Sequence, residues 1–236
     1  MYETIKLKES LTNYTIIFNR PEKLNALSEQ MIEELHATLL HVKEKNPKVL
    51  LLKGEGTSFC TGHDVNSSIS FANEEDAMNK LEKLQEITSI ITNYPAPVVA
   101  ALHGYALGAG FEIALNCDLL YASDQAIFGF PELEVGLSIT QGTSYFLPRA
   151  IGLIKSKEFI FFSEKITAQK AKELSLINEV FNDDHLLESV NKKIDILSKK
   201  SLSALNEVKQ LLNNGMNASL DHSLKHEITT LSKLLS

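Results

Sequence analysis

A single carboxylate, Glu112, interrupts an apolar run in residues 103–123, HGYALGAGFEIALNCDLLYAS. Its neighbours Phe111, Ile113, Ala114 and Leu115 leave little room for an exposed face. Because an unpaired buried carboxylate is costly, such a residue is a candidate for general acid or base chemistry. The alternative is a glutamate that points to solvent from an amphipathic helix, and the residue pattern by itself leaves that alternative open.

Two glycine-rich turns could form a site together. They are KGEGTSFCTGHDV, residues 53–65, and HGYALGAGFE, residues 103–112. Neither contains the dinucleotide pattern GxGxxG or the P-loop pattern GxxxxGK[ST]. Each turn by itself is explained by backbone geometry, but both follow apolar strands. Carboxyl ends of parallel strands are where α/β proteins bind ligands, so the pairing favours a site.

The elements that position these turns alternate along the first two-thirds of the chain. Residues 4–21 predict two strands joined near Asn13, and Ser28 is a candidate N-cap for a helix. Residues 74–94 predict a second helix, with Met78, Leu81, Leu84, Ile87 and Ile91 on its apolar side. Apolar strands are predicted in three further segments, KVLLLKGEG, APVVAALHG and DLLYASDQAIFGF. From about Ile151 the chain is helix-rich, and the whole pattern indicates an α/β class.

Composition excludes several function classes. The 236 residues carry a net charge of −7, with no basic cluster or lysine-rich helix of the kind that binds nucleic acid. The N-terminal segment has no long apolar stretch, so neither secretion nor a membrane span is indicated, and a cytoplasmic location is predicted. The two cysteines, Cys60 and Cys117, have no metal-ligand spacing and are expected to be small buried side chains. His222 and His226 are four residues apart but have no third ligand, so a solvated helix face is favoured over a metal site.

Four segments in order along the chain resemble the crotonase, or enoyl-CoA hydratase/isomerase, superfamily. They are NRPEKLNALS (19–28), GEGTSFCTGHDV (54–65), ALHGYALGAGFEIALNCDLLYAS (101–123) and FGFPELEVGL (128–137). Weaker similarity continues through RAIG (149–152) and ITAQKAKELSLINEV (166–180). The resemblance implies a crotonase-like α/β fold of repeated ββα units with a helical C-terminal region. Residues 1–195 would form the core, and residues 196–236 a helical oligomerisation or lid region within the same domain.

The same resemblance implies an acyl thioester of coenzyme A as substrate. Two backbone N–H groups, of His63 and Ala109, would hold the thioester oxygen as negative charge develops on it. His63 as a general base is the less favoured alternative, and Asp64 is expected to order its turn. The positions implied to bind the coenzyme A part of the substrate are Lys23, Asn25, Ala26, His63, Asp64, Val65, Asn66 and Gly108. For Lys23, a solvated loop position is an equally good interpretation.

Family hydratases have two glutamates, at the positions of Glu112 and Glu132. Addition of water to a 2-enoyl thioester needs one group to activate water at C3 and another to protonate C2. We assign the first role to Glu112 and the second to Glu132. Two like charges in one apolar pocket should have separated pKa values. No metal or redox cofactor is expected, and the substrate brings coenzyme A with it.

Several features depart from the family pattern. The second glycine turn reads GAG where many hydratases have GGG. The segment GLSITQGTSYFLPRAIG replaces a usual proline and glycine pair with Ile139, Gly142 and Thr143, and Phe130 adds a large aromatic ring. These changes are expected near the acyl pocket, where they would affect chain length and reaction preference. The segment after EITTLSKLLS, which often covers the substrate in relatives, is expected to be shortened or absent.

Hydration of a 2-enoyl-CoA is therefore the favoured function. The first alternative is an enoyl-CoA isomerase that uses Glu132 alone. Others are a carrier-protein-linked hydratase or decarboxylase, and a non-catalytic relative that binds RNA, which the charge pattern disfavours. The resemblance also implies a homotrimer or a dimer of trimers, with no nucleic acid and no membrane as partners.

Overall fold

The computed structural model describes residues 2–64 and 73–235. Its strands are β1 (Ile5–Glu9), β2 (Asn13–Phe18), β3 (Val49–Gly54), β4 (Val98–Leu102), β5 (Tyr105–Leu107), β6 (Leu119–Ser123), β7 (Ile127–Gly129), β8 (Ile166–Thr167) and β9 (Glu179–Phe181). Its α-helices are α1 (Glu29–Glu44), α2 (Glu74–Thr92), α3 (Ala109–Leu115), α4 (Thr143–Ile151), α5 (Leu153–Phe161), α6 (Ala168–Glu173), α7 (Leu186–Ser198), α8 (Leu202–Gly215) and α9 (Leu220–Leu235). Short 3₁₀ turns span Pro21–Lys23, Glu132–Val135 and Asp183–His185.

A six-stranded sheet forms the centre of the molecule, in the order β1-β2-β3-β4-β6-β9. β1 and β2 form an antiparallel hairpin, as the sequence predicts, and the other neighbours are parallel. Every residue of β4 is buried, because helices cover both faces of a parallel sheet. The carboxyl ends of the parallel strands therefore lie along one edge, where both glycine turns begin.

A second, smaller sheet of β5, β7 and β8 lies beside the first. The single strand that the sequence predicts over DLLYASDQAIFGF is therefore wrong. The segment forms β6 in the large sheet and β7 in the small one, with a turn at Asp124 between them. This change of sheet gives the pairs β4–β5 and β6–β7, each followed by a helix, which is the repeated ββα arrangement that the resemblance implies.

The two long helices on one side of the sheet follow the predicted apolar pattern with one exception. Ser28 caps α1, its side chain accepting the N–H of Met31, and α2 buries Leu84, Ile87 and Ile91. Met78 was expected on the buried side of α2, but its side chain is 52% exposed. Among the described residues, no residue of α2 before Leu84 is buried.

In the C-terminal region, hydrogen bonds from Lys209 join helix α8 to the core. On α8, the Lys209 ammonium donates to Asp118 at 2.8 Å and to the carbonyl of Ile91 at 3.2 Å. The boundary predicted between residues 195 and 196 falls inside α7, which continues to Ser198. In the part of the chain that the structure describes, no helix is long and apolar enough to cross a membrane.

Gly110 allows α3 to approach the loop that follows β3. A Cβ atom at residue 110 would lie 2.5 Å from the Cys60 carbonyl oxygen and 2.7 Å from the Cys60 Sγ. Gly110→Ala should therefore lower the free energy of unfolding by about 1–3 kcal/mol, as measured by urea denaturation. The matched control is Gly215→Ala on α8, where the nearest atom, Ser223 Oγ, is 3.9 Å away and the effect should be neutral to slightly stabilising. Equal stability of the two variants would contradict this packing.

Candidate active site

A cavity of about 490 Å³ opens between α1, α2 and the loops at the ends of the central strands. Its inner wall includes Glu112, Glu132 and His63, and its apolar lining includes Ile32, Leu81 and Leu84. The outer part is charged, with Glu29, Glu33, Asp76, Lys80 and Lys83 from the two long helices. Two predicted acids and one predicted amide-bearing residue therefore share one cavity.

Glu112 lies in the first turn of α3, and only 1% of its surface is exposed. Its Oε1 accepts the Thr140 N–H at 2.7 Å and the Thr143 hydroxyl at 2.9 Å. Its Oε2 accepts the Thr140 hydroxyl at 2.8 Å and the Gln141 amide at 3.2 Å. These four donors occupy the lone-pair positions of both carboxyl oxygens of Glu112.

The four donors come from one loop just before and at the start of α4. Gln141 and Gly142 have φ angles of 46° and 80°, so the chain turns through two left-handed residues. Gln141 is fully buried, and its amide also reaches the Ala109 carbonyl at 3.4 Å. In the sequence this segment departs from the family pattern near the expected acyl pocket, but the pattern does not indicate Thr140 or Gln141 and gives Thr143 no role. The signal in the sequence is three side chains with hydrogen-bond donors within residues 140–143.

Glu132 begins the 3₁₀ turn after β7, and its surroundings are the opposite of those of Glu112. Its Oε2 is buried and has no hydrogen-bond partner in residues 2–64 and 73–235. Burial raises the pKa of Glu132 to about 7, and the nearby charge of Glu112 adds to the rise. A carboxyl group in this state gives up and recovers a proton near neutral pH.

Gly108 contacts the carboxyl group of Glu132. A Cβ at residue 108 would lie 2.5 Å from Glu132 Oε1, and the residue has a φ angle of +50°. Both the close approach and the left-handed backbone require glycine. Gly108 is one of the positions that the resemblance implies in substrate binding. It therefore lies next to the carboxyl group of Glu132, at the start of α3.

The amides of His63 and Ala109 belong to two segments that touch each other. A Cβ at Gly62 would lie 3.4 Å from the Ala109 nitrogen and 3.6 Å from Gly108 Cα. The loop is held by bridges between Cys60 and Ala106 and between Leu27 and His63. In the described part of the chain neither amide donates a hydrogen bond to the protein.

The side chains of His63 and Asp64 have separate environments. His63 lines the cavity, and burial lowers its pKa, which favours the neutral imidazole. The Asp64 carboxylate accepts an N–H of the Arg20 guanidinium at 2.9 Å, and its expected role in ordering its turn through local N–H groups stays a prediction. Arg20 also donates to the Ala26 carbonyl, so it joins the loop before α1 to the loop after β3. The sequence pattern does not indicate this role of Arg20.

The remaining predicted positions are divided between protein contacts and solvent. The Asn25 side chain is fully buried and bonds to Arg20 N and to the carbonyls of Glu55 and Ser58, so it braces the loop. Lys23 is exposed, and Ala26 is partly exposed with its carbonyl on Arg20. Val65 and Asn66 lie outside the described residues.

Three other expectations concern residues away from the cavity. Phe130 was expected near the acyl pocket, but it is fully buried in the core, with its ring 5.2 Å from that of Phe111 and 5.3 Å from that of Phe159. Cys60 and Cys117 are buried as expected, and burial raises the pKa of Cys60 to about 12. The described residues hold no group of three or more side chains able to bind a metal ion, His222 and His226 included.

The chain matches known proteins over nearly its whole length. The family model for enoyl-CoA hydratase/isomerase matches residues 9–236. A probable enoyl-CoA hydratase of Mycobacterium leprae is 33% identical over 96% of this chain and 87% of its own, and a crotonyl-CoA hydratase of Syntrophomonas wolfei is 31% identical over the same shares. The crystal structure of an enoyl-CoA hydratase from Bacillus anthracis has a TM-score of 0.93 at 29% identity and covers 99% of this chain and 91% of that one. Together with the crotonase-like fold, these matches show that the chain belongs to the enoyl-CoA hydratase/isomerase family.

Proposed function

We propose that the protein adds water across the double bond of a 2-enoyl-CoA to give the 3-hydroxyacyl-CoA. The observation that carries the proposal is the pair of glutamates on one cavity wall, with four donors on Glu112 and none on Glu132 Oε2 among the described residues. Glu112 would accept the proton of the attacking water, and Glu132 would deliver a proton to C2.

Negative charge develops on the thioester oxygen as water attacks C3. We assign its stabilisation to the amides of His63 and Ala109, whose segments are in contact. Oriented donors of this type are worth about 3 kcal/mol each in transition-state stabilisation. The roles of the amides support hydration and isomerisation equally, because both reactions pass through an enolate.

Isomerisation of an enoyl-CoA is the second candidate, and one observation favours it. All the acceptor positions of Glu112 are occupied, whereas Glu132 has an open oxygen in a buried setting. Glu132 alone would remove a proton from C2 and return it to C4. Among the relatives, a peroxisomal Delta(3,5)-Delta(2,4)-dienoyl-CoA isomerase of Arabidopsis thaliana is 28% identical over 99% of this chain and 90% of its own.

We propose a homotrimer or a dimer of trimers, supported by exposed apolar side chains on α5, just after it, and on α8 and α9, namely Leu153, Ile154, Phe161, Phe162, Leu212, Leu220 and Ile228. We also propose a cytoplasmic location. The reaction moves protons and adds water, so we propose that it uses no metal or redox cofactor and that coenzyme A enters with the substrate. Lys23 and the backbone near Ala26 stay candidates for contact with that coenzyme A.

Glu112→Gln should reduce the hydration of crotonyl-CoA by about 100- to 10,000-fold, because the neutral amide accepts no proton from water. Loss of the conjugated enoyl absorbance measures the rate. The control is Glu134→Gln, which changes an exposed glutamate in the same 3₁₀ turn as Glu132 and should leave the rate unchanged. If Glu112→Gln hydrates crotonyl-CoA normally, hydration by the two-glutamate mechanism is wrong.

The pH dependence of kcat/KM separates the two candidates. Hydration needs a proton on Glu132, so kcat/KM should fall as pH rises above about 7. The reaction has no net proton change, so hydration and dehydration should share this profile. Isomerisation starts with Glu132 as a carboxylate, so its kcat/KM should instead rise through about pH 7. A hydration rate that increases between pH 7 and 9 would contradict the proposed role of Glu132.

A stability measurement tests the same protonation without turnover. The pKa of Glu132 is raised from 4.5 to about 7 on folding, so its ionisation opposes folding as pH rises through this range. Glu132→Gln should therefore be more stable than the wild type at pH 8 by about 2 kcal/mol, after a discount for the exposed part of the side chain, and nearly equal at pH 4.5. Urea denaturation at both pH values gives the comparison, with Glu134→Gln as the control. A pH-independent difference would indicate that Glu132 is not held protonated.

A further inference from the structure

The hydrogen bonds on Glu112 raise a chemical problem for its proposed role as the base. A carboxylate offers about four lone-pair positions. The Thr140 N–H and the Thr143 hydroxyl occupy Oε1, and the Thr140 hydroxyl and the Gln141 amide occupy Oε2. A water molecule in the cavity therefore finds no acceptor position on Glu112 that is not already taken.

The donors differ in whether they can pass a proton on. A backbone N–H and a glutamine amide only donate, whereas a hydroxyl group can donate to one partner while it accepts from another. Of the two hydroxyls, that of Thr143 belongs to a residue that is 1% exposed, and Thr140 lines the cavity. Thr140 Oγ1 is thus in contact with Glu112 Oε2, at 2.8 Å, and accessible from the cavity.

The loop holds the Thr140 hydroxyl at this place through its backbone. The Thr140 N–H is anchored on Glu112 Oε1 at 2.7 Å, so the residue contacts both oxygens of the carboxylate. The Thr140 carbonyl accepts the N–H of Thr143 at 2.9 Å, which closes the turn through Gln141 and Gly142. These main-chain contacts keep the Thr140 hydroxyl in position while it gives up one proton and accepts another.

We propose that Thr140 relays the proton from the attacking water to Glu112, a role that rests on the proposed hydration. The water oxygen forms a bond to C3, its proton passes to Thr140 Oγ1, and the original Thr140 proton passes to Glu112 Oε2. The electron pair of the C2–C3 double bond moves to the enolate, and the proton of Glu132 then forms the C2–H bond. One O–H bond of water breaks, C3–O and C2–H bonds form, and the single proton of the glutamate pair has moved from Glu132 to Glu112.

The test compares Thr140→Val with Thr140→Ser, because both keep the backbone N–H on Glu112 Oε1 and only serine keeps a hydroxyl. Thr140→Val should lower kcat for crotonyl-CoA hydration by at least about 100-fold with little change in KM, and Thr140→Ser should recover most of the rate. Loss of packing alone would not be restored by serine, which is smaller than valine. Thr143→Val is the matched control, since it also removes a hydroxyl from Glu112, and its loss should be less than about tenfold.

The opposite result has a clear meaning. If Glu112 takes the proton directly, removal of the Thr140 hydroxyl opens Oε2 to water, and Thr140→Val should be as fast as the wild type or faster. That outcome overturns the relay and leaves the hydratase intact, whereas a wild type that does not hydrate crotonyl-CoA overturns both. Should Thr140→Val not fold, Thr140→Ala removes the same hydroxyl, and a rate within tenfold of Thr140→Ser would overturn the relay.

Discussion

The site depends on the contrast between two carboxyl groups that share one cavity. Glu112 is buried and tolerated there because one loop supplies four donors to it. Glu132 has no such partner for Oε2 in the described residues, so burial and the charge of Glu112 favour its protonated form. Under the proposed function, the surroundings of the two groups, and not their chemical type, suit them to opposite proton transfers.

The fold creates this contrast by bringing together three loops, one after β3 of the large sheet and two after β5 and β7 of the small sheet. The segments after β3 and β5 approach closely enough that a Cβ at Gly62, Gly108 or Gly110 would crowd a neighbouring atom. Glu112 follows the second of these segments directly, and Glu132 follows β7, whose parallel pairing with β5 sets its position beside Gly108. The positions of the two glutamates therefore depend on the close contact between these backbone segments, which the glycines allow.

The sequence predicts the elements that local patterns define, such as the β1–β2 hairpin, the cap at Ser28 and the α/β class. The sequence-based predictions are wrong where contacts between distant parts of the chain determine the structure. Examples are the apolar segment that divides into β6 and β7, and the exposed Met78. Motif similarity indicates Glu112, Glu132, His63 and Ala109, but it does not find Arg20 or Thr140, whose partners are distant in sequence. For Phe130 the motif indicates too much. Because Phe130 lies within a family motif, it was expected near the acyl pocket, but its ring packs in the core.

The protonation state of Glu132 is the central claim, and a titration of the carboxyl carbons measures it directly. Protein labelled with ¹³C at glutamate Cδ should show one resonance that titrates near pH 7 and disappears in Glu132→Gln. A spectrum in which the glutamate lost in Glu132→Gln titrates near 4.5, the ordinary value, would contradict the account, because neither carboxyl group would then be a proton donor at neutral pH.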